Sequence, residues 1–269
     1  MVSTFTSQSA FKVGSTKKLA LGLLGYYRSI EEALNCIKSN IDDSGSWASD
    51  LDDAASGTYN YYDLINDAAT AANAIVTNAN AYVGQTTTTN EDSLRSTLST
   101  SIDSFNTAFD NVLELFSDGI TTGGQPTWGG TPNTASWADT DTNTGLLMNM
   151  SYEDQLIHQQ NMKILSDSFS VSLTSVTVHL GNVDRTSSTI LTTLNVTNYD
   201  AFITAAYTLN CKLVSTIDDL EVMISNQKIN GTLMTTTPSA NYLTASQAVQ
   251  SQWATTDAAV DSIFTTLSS

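Results

Sequence analysis

The sequence predicts an all-α protein: an elongated bundle of about six long amphipathic helices, in two halves joined by a loop containing glycine, proline and tryptophan. Three observations carry this. Apolar residues recur in alternating steps of four and three along the long stretches, which places them on one face of a helix. The breaks between those stretches fall at glycine, proline or threonine-rich runs, which interrupt helices. The interval 119–150 holds two of the three prolines and six of the fourteen glycines, and it divides the chain near its middle.

Residues 1–14, MVSTFTSQSAFKVG, read as a polar N-terminal arm without periodicity. The first helical half spans 15–118. Ser15 or Thr16 reads as an N-cap, followed by a stripe of Leu19, Leu23, Tyr27, Ile30, Leu34, Ile37 and Ile41 that ends near Gly45. The second stretch begins loosely at Trp47 and Leu51, then settles into Tyr61, Ile65, Ala68, Ala72, Ile75, Ala79 and Tyr82. Its alanines permit close approach to a neighbouring helix. Gly84 and the threonines 86–89 end it, and Asn90 caps a third helix whose face is Leu94, Leu98, Ile102, Phe105, Phe109, Val112 and Phe116.

The second half spans 151–269. Ser151 with Asp154 resembles a capping box, and Leu165, Phe169, Leu173, Val176 and Leu180 carry a helical face to Gly181. Residues 169–180 also alternate as a strand would, with β-branched Val171, Val176 and Val178; the length of the pattern favours helix. Asn198 opens the fifth helix, with Phe202, Ala206, Leu209, Leu213, Ile217, Leu220 and Ile224 inward, and the polar run 227–238 ends it. The last begins at Thr244 and presents Val249, Trp253, Val260, Ile263, Phe264 and Leu267. Helices of roughly 27 to 30 residues, about 40 Å long, can lie side by side along one bundle.

The net charge of −17 arises from 27 acidic residues against 10 basic ones, so it reflects scarce Lys and Arg. Direct nucleic-acid binding, which needs clustered cations, is excluded as an expectation, and anionic membranes are disfavoured. No apolar run has the length of a membrane span. The stretch LALGLLGYY, 19–27, is too short and too late for a signal peptide and runs directly into RSIEEA. Cys36 and Cys211 lack the spacing of a zinc site or a disulfide framework and read as buried free thiols. Sequons at Asn149, Asn195 and Asn230 are what chance supplies in so Asn-, Ser- and Thr-rich a chain.

Candidate chemistry is sparse. Asp139, Asp141, Asn143 and Gly145 (DTDTNTG) share the alternating oxygens of calcium loops, but the glycine comes one residue late and Met150 stands where such loops carry Glu. The segment reads as a solvated turn, and no metal or cofactor is expected. His158 and His179 are 21 residues apart on one helix and cannot share a metal from it; His158 reads as a hydrogen-bonded histidine at the core edge. Glu153 and His158 lack the Glu-x-x-His spacing of carboxylate-bridged metal bundles. With no nucleophile elbow and no phosphate-cradling glycine loop, no catalytic residue and no enzyme activity is expected. Trp128 and Trp137 are the partner-contact candidates, as aromatic anchors on a glycine-rich segment; folding back over a bundle end is the other reading.

The polar faces carry Ser, Thr, Asn and Asp where Lys and Glu are usual; the chain has seven Lys and six Glu against 73 Ser and Thr. Short polar side chains lose less rotamer freedom on being covered. The expectation is a non-catalytic structural subunit whose partners are itself or other structural proteins, most concretely a virion component of a bacterial virus, in the neck, tail or capsid periphery. Its location would be a virion or an extracellular assembly. The competing expectation is a secreted or surface-attached helical binding module that uses the 119–150 loop.

Overall fold

The computed structural model describes residues 8–43, 61–84, 90–118, 152–181, 196–230 and 237–268, and all secondary structure among the described residues is helical. Six helices result: α1 (Gln8–Asp43), α2 (Tyr61–Val83), α3 (Glu91–Asp118), α4 (Tyr152–Leu180), α5 (Val196–Asn230) and α6 (Thr237–Ser268). α1 packs on α2 and α4, α3 on α2 and α6, and α5 on α4 and α6. These main contacts close a ring in the order α1, α2, α3, α6, α5, α4. Neighbours run antiparallel: Asn40 of α1 receives Asn161 of α4 as a partner at one end of their contact, and Leu21 accepts from Ser175 at the other. α5 and α6 are staggered the same way, through Asn198 with Thr266 and Lys212 with the carbonyl of Ala248.

All six helices feed one hydrophobic core, so the halves α1–α3 and α4–α6 are not separately packed. Its centre is aromatic. Tyr26 meets Phe169 and Phe202 edge-on, Tyr27 meets Phe105, Phe105 stacks on Phe109, and Trp253 sets its edge against Phe109 with ring centroids 4.7 Å apart. Offset and edge-to-face geometries suit the ring quadrupoles and add to the burial of large apolar surfaces. α2 contributes small residues instead: Ala68, Ala72 and Ala79 are fully buried, as the alanine seam predicts. α1 and α4 approach closely, since a β-carbon at Gly25 would overlap the Ser175 side chain.

The ambiguous stretch 165–180 is helix throughout. Three helix starts differ from expectation, each for a visible reason. α1 begins at Gln8, so residues 8–14 of the expected arm are helical; the Thr16 hydroxyl donates to Glu91 of α3 instead of capping. α5 begins at Val196, because the Asn198 amide is spent on Ser262 and Thr266 across the α5–α6 seam. α6 begins at Thr237, with Pro238 in its first turn, where a missing N–H costs nothing. The helices accordingly range from 23 to 36 residues, a wider spread than the sequence pattern implies. Cys36 and Cys211 are free thiols as expected, but both are exposed, since each sits on the outer side of its helix.

Candidate functional site

The outer faces of α2, α3 and α6 follow the expected short-polar pattern, while that of α1 carries Arg28 and Glu32. Along α3, the hydroxyls of Thr97, Thr100, Ser101, Ser104 and Thr107 donate to their own helix's carbonyls one turn back. A hydroxyl already satisfied in this way leaves no donor stranded when another surface covers it.

α4 and α5 depart from that pattern. Among the described residues, the large hydrophobic side chains left exposed are Leu156, Val171 and Val178 on α4 and Tyr207, Val214 and Val222 on α5. Val171 is 63% exposed and Tyr207 61%, more than a side chain at the margin of a core. At 3.6 residues per turn, Leu156, Lys163, Asp167, Val171 and Val178 fall on one outward stripe of α4, and Tyr207, Cys211, Val214, Asp218 and Val222 on one of α5. Tyr207 and Cys211 stand one turn apart on that stripe, both exposed.

The inner side of α4 is correspondingly polar. His158, Asn161, Ser166, Ser168 and Ser172 are buried. Ser172 donates to the carbonyls of Tyr26 and Ser168, while the Asn161 amide nitrogen and the Ser168 hydroxyl find no hydrogen-bond partner among the described residues. His158 is fully buried, deeper than the core edge expected of it, and desolvation pulls its pKa down to about 3. α4 thus buries polar groups and exposes apolar ones, a conflict between pattern and position that marks a functional surface more often than an error of folding.

Between the two stripes lies a groove of about 540 Å³. Leu156, Val214 and Ile217 give it apolar walls; Lys163, Asp167 and Glu221 are among its charged groups. This is a surface for receiving side chains, with one cation among several carboxylates.

A second cluster lies on the α3–α6 seam. Burial, then the charges of Asp261, Asp103 and Asp110, pushes the Asp257 carboxyl up to about 6, and Asp110 and Asp261 are raised as well, chiefly by desolvation. Asn106 donates its amide to Asp257, and its own buried carbonyl oxygen has no hydrogen-bond partner among the described residues. Among the described residues, no three His, Cys, Asp or Glu side chains converge to hold a metal.

Trp128, Trp137, Asp139, Asp141 and Asn143 lie outside the described residues, as does Glu153's side chain. Sequence reasoning did not single out the six exposed apolar side chains on α4 and α5 as contact candidates. Their signal was present as a second apolar line, Val171 and Val178 seven residues apart on α4 and Tyr207 and Val214 seven apart on α5. No helix among the described residues is long and apolar enough to cross a membrane. No family model, curated protein or solved structure matches the chain.

Proposed function

We propose that this chain is a non-catalytic structural subunit of a larger protein assembly, most concretely a virion component of a bacterial virus, in its neck, tail or capsid periphery. The observation that carries the reading is the division of the surface. α2, α3 and α6 present small hydroxyl- and amide-bearing faces, and α4 and α5 present every large apolar side chain found exposed among the described residues. Exposed large apolar side chains confined to one face of an otherwise polar surface support a contact there. The acidic, Ser- and Thr-rich composition supports a virion or extracellular setting.

Measuring the mass of the purified chain by light scattering across a concentration series tests this. A discrete multimer or a concentration-dependent polymer is the expected result; a monomer at every concentration rules out self-assembly and leaves the binding module or a subunit that assembles only on another protein. A chain lacking residues 1–7, which leaves α1 whole, shows whether the N-terminal residues take part.

The second reading, a secreted or surface-attached binding module, draws on Trp128 and Trp137 in the 119–150 segment. It predicts that changing both to Ala abolishes capture of the partner while the helical circular dichroism is unchanged. Capture that survives both changes removes it.

A further inference from the structure

We propose that the α3–α6 seam is a proton-operated latch: a proton held between Asp257 of α6 and Asn106 of α3 fastens the two halves of the bundle along this joint, and its release loosens the joint. The latch does not depend on the assembly reading above.

Its place in the ring gives the contact leverage. The halves α1–α3 and α4–α6 meet along two opposite joints, α1 with α4 and α3 with α6, and the second is the more sparsely packed. At the first, Gly22 and Gly25 let α4 approach closely, and the Ser172 and Ser175 hydroxyls donate to α1 carbonyls. The second sets Asp103, Asn106 and Asp110, on one face of α3, against Asp257 and Asp261 of α6.

Asn106 shows what this joint needs. Its side chain is buried; the amide nitrogen donates to Asp257, and the carbonyl oxygen finds no donor among the described residues. An ionised carboxylate only accepts, so it satisfies the nitrogen and leaves the oxygen stranded. A neutral carboxyl also donates. An amide facing it gives its N–H to the acid's carbonyl and takes the acid's O–H on its own oxygen. The group that completes Asn106 is therefore a proton on Asp257, and without it a buried acceptor stays unpaired.

The surroundings favour that proton. α2 and α6 have no Lys or Arg, and Arg95 of α3 is paired with Glu91 and Asp92, more than two turns from Asp103. α5, the other helix packed on α6, brings Lys212 to the Ala248 carbonyl, nine residues along α6 from Asp257; its Asp200 is exposed beside Asn198, at the level of Ser262 and Thr266. From α1, the Tyr27 hydroxyl is held protonated by burial and then by the charges of Asp257, Asp261 and Asp103. Burial, then Asp261, Asp103 and Asp110, pushes the Asp257 carboxyl up to about 6, so the proton is kept in mild acid and leaves near neutrality.

Hydrogen exchange of the full-length chain, followed by mass spectrometry at pH 5 and pH 7.5 with intrinsic rates divided out, tests this. Protection of α3 and α6 amides around residues 102–110 and 253–261 is expected to fall by up to about tenfold between the two conditions, while that of the α1–α4 joint does not fall. In Asp257→Asn, whose amide donates to Asn106 at every pH, the α3–α6 protection is expected to hold at its pH 5 level. A double-mutant cycle of Asn106→Ala and Asp257→Ala, read by urea denaturation, is expected to give a larger coupling at pH 5 than at pH 7.5. Protection that is equal at both pH values, or that falls alike along both joints, overturns the latch. A fall that persists in Asp257→Asn overturns Asp257 as the proton's seat. Coupling that is equal at the two pH values or grows at pH 7.5 overturns the shared proton.

Discussion

α3 and α4 follow one another in the chain, have 28 and 29 residues, both bury some polar groups, and differ in what they leave outside. α3 buries Leu98, Ile102, Phe105, Phe109 and Val112, with the paired Glu91 and Arg95 and with Asn106, and turns hydroxyls outward that bond its own backbone. α4 buries a histidine, an asparagine and three serines among its apolar residues and leaves Leu156, Val171 and Val178 outside. Both helices are long and packed on two neighbours, so neither length nor position in the ring explains the difference. α3 is completed by the bundle; α4 has an apolar stripe that the bundle does not cover, and only another surface can remove it from water.

The sharpest way to break this contrast is the same substitution on both helices. Val112→Asp places a carboxylate in the core of α3 and is expected to lower stability by at least about 3 kcal/mol. Val171→Asp on α4 is expected to change the stability of the dilute protein by no more than about 0.5 kcal/mol. Urea denaturation of the two variants checks it, and equal losses would show that Val171 belongs to the core.

Next in size is the pH response of α4. His158 is held neutral, with a folded-state value of about 3 against an ordinary value of 6.5. Between those values the unfolded chain binds a proton that the fold refuses, so this group's stabilising contribution is complete above pH 6.5 and is lost as pH falls toward 3. The slope is about 1.4 kcal/mol per pH unit. His158→Gln is expected to flatten it in denaturation curves taken from pH 7.5 to 4.5; an unchanged slope would mean that the imidazole is solvated.

The α3–α6 seam responds with the opposite sign and more weakly, because Asp257 is only half-buried. Its carboxyl is raised from 3.8 to about 6, so the fold holds a proton that the unfolded chain has released. The favourable contribution is complete below about pH 4 and disappears as pH rises through 6. Asp257→Asn is expected to raise the melting temperature at pH 7 and to leave it unchanged near pH 4. A variant less stable than wild type at pH 7 would show that the charged form is favoured at the seam. Smallest of all, Ser104→Ala on the outer face of α3 should stay within about 0.5 kcal/mol of wild type, since it removes one exposed side-chain bond to the Thr100 carbonyl.

The same contrast governs what could be read from the sequence. The inward faces of α1, α2 and α3 were legible because one unbroken four-and-three stripe matches one buried face, from Leu19 to Ile41 and from Leu94 to Val112. α4 was ambiguous for a physical reason: Val171 and Val178 face away from the core formed by Phe169 and Val176, so apolar residues on both sides imitate a strand's alternation. Helix starts slipped where a capping-type residue found a tertiary partner, as Thr16 did with Glu91 and Asn198 with Thr266. The candidate contact face was not legible as such. An outward valine on a helix acquires meaning only when the helix beside it, here α5, is known, and that pairing depends on the ring order of the helices.

The two native cysteines test the central claim without any substitution. Cys36 lies exposed on α1 and Cys211 exposed on α5, within the stripe between Tyr207 and Val214. Maleimide labelling of each thiol, followed by peptide mass across a concentration series, compares a covered face with an uncovered one in the same molecule. Cys211 labelling is expected to slow as concentration rises, and Cys36 labelling is not. Protection of Cys36 with Cys211 still freely labelled would contradict it.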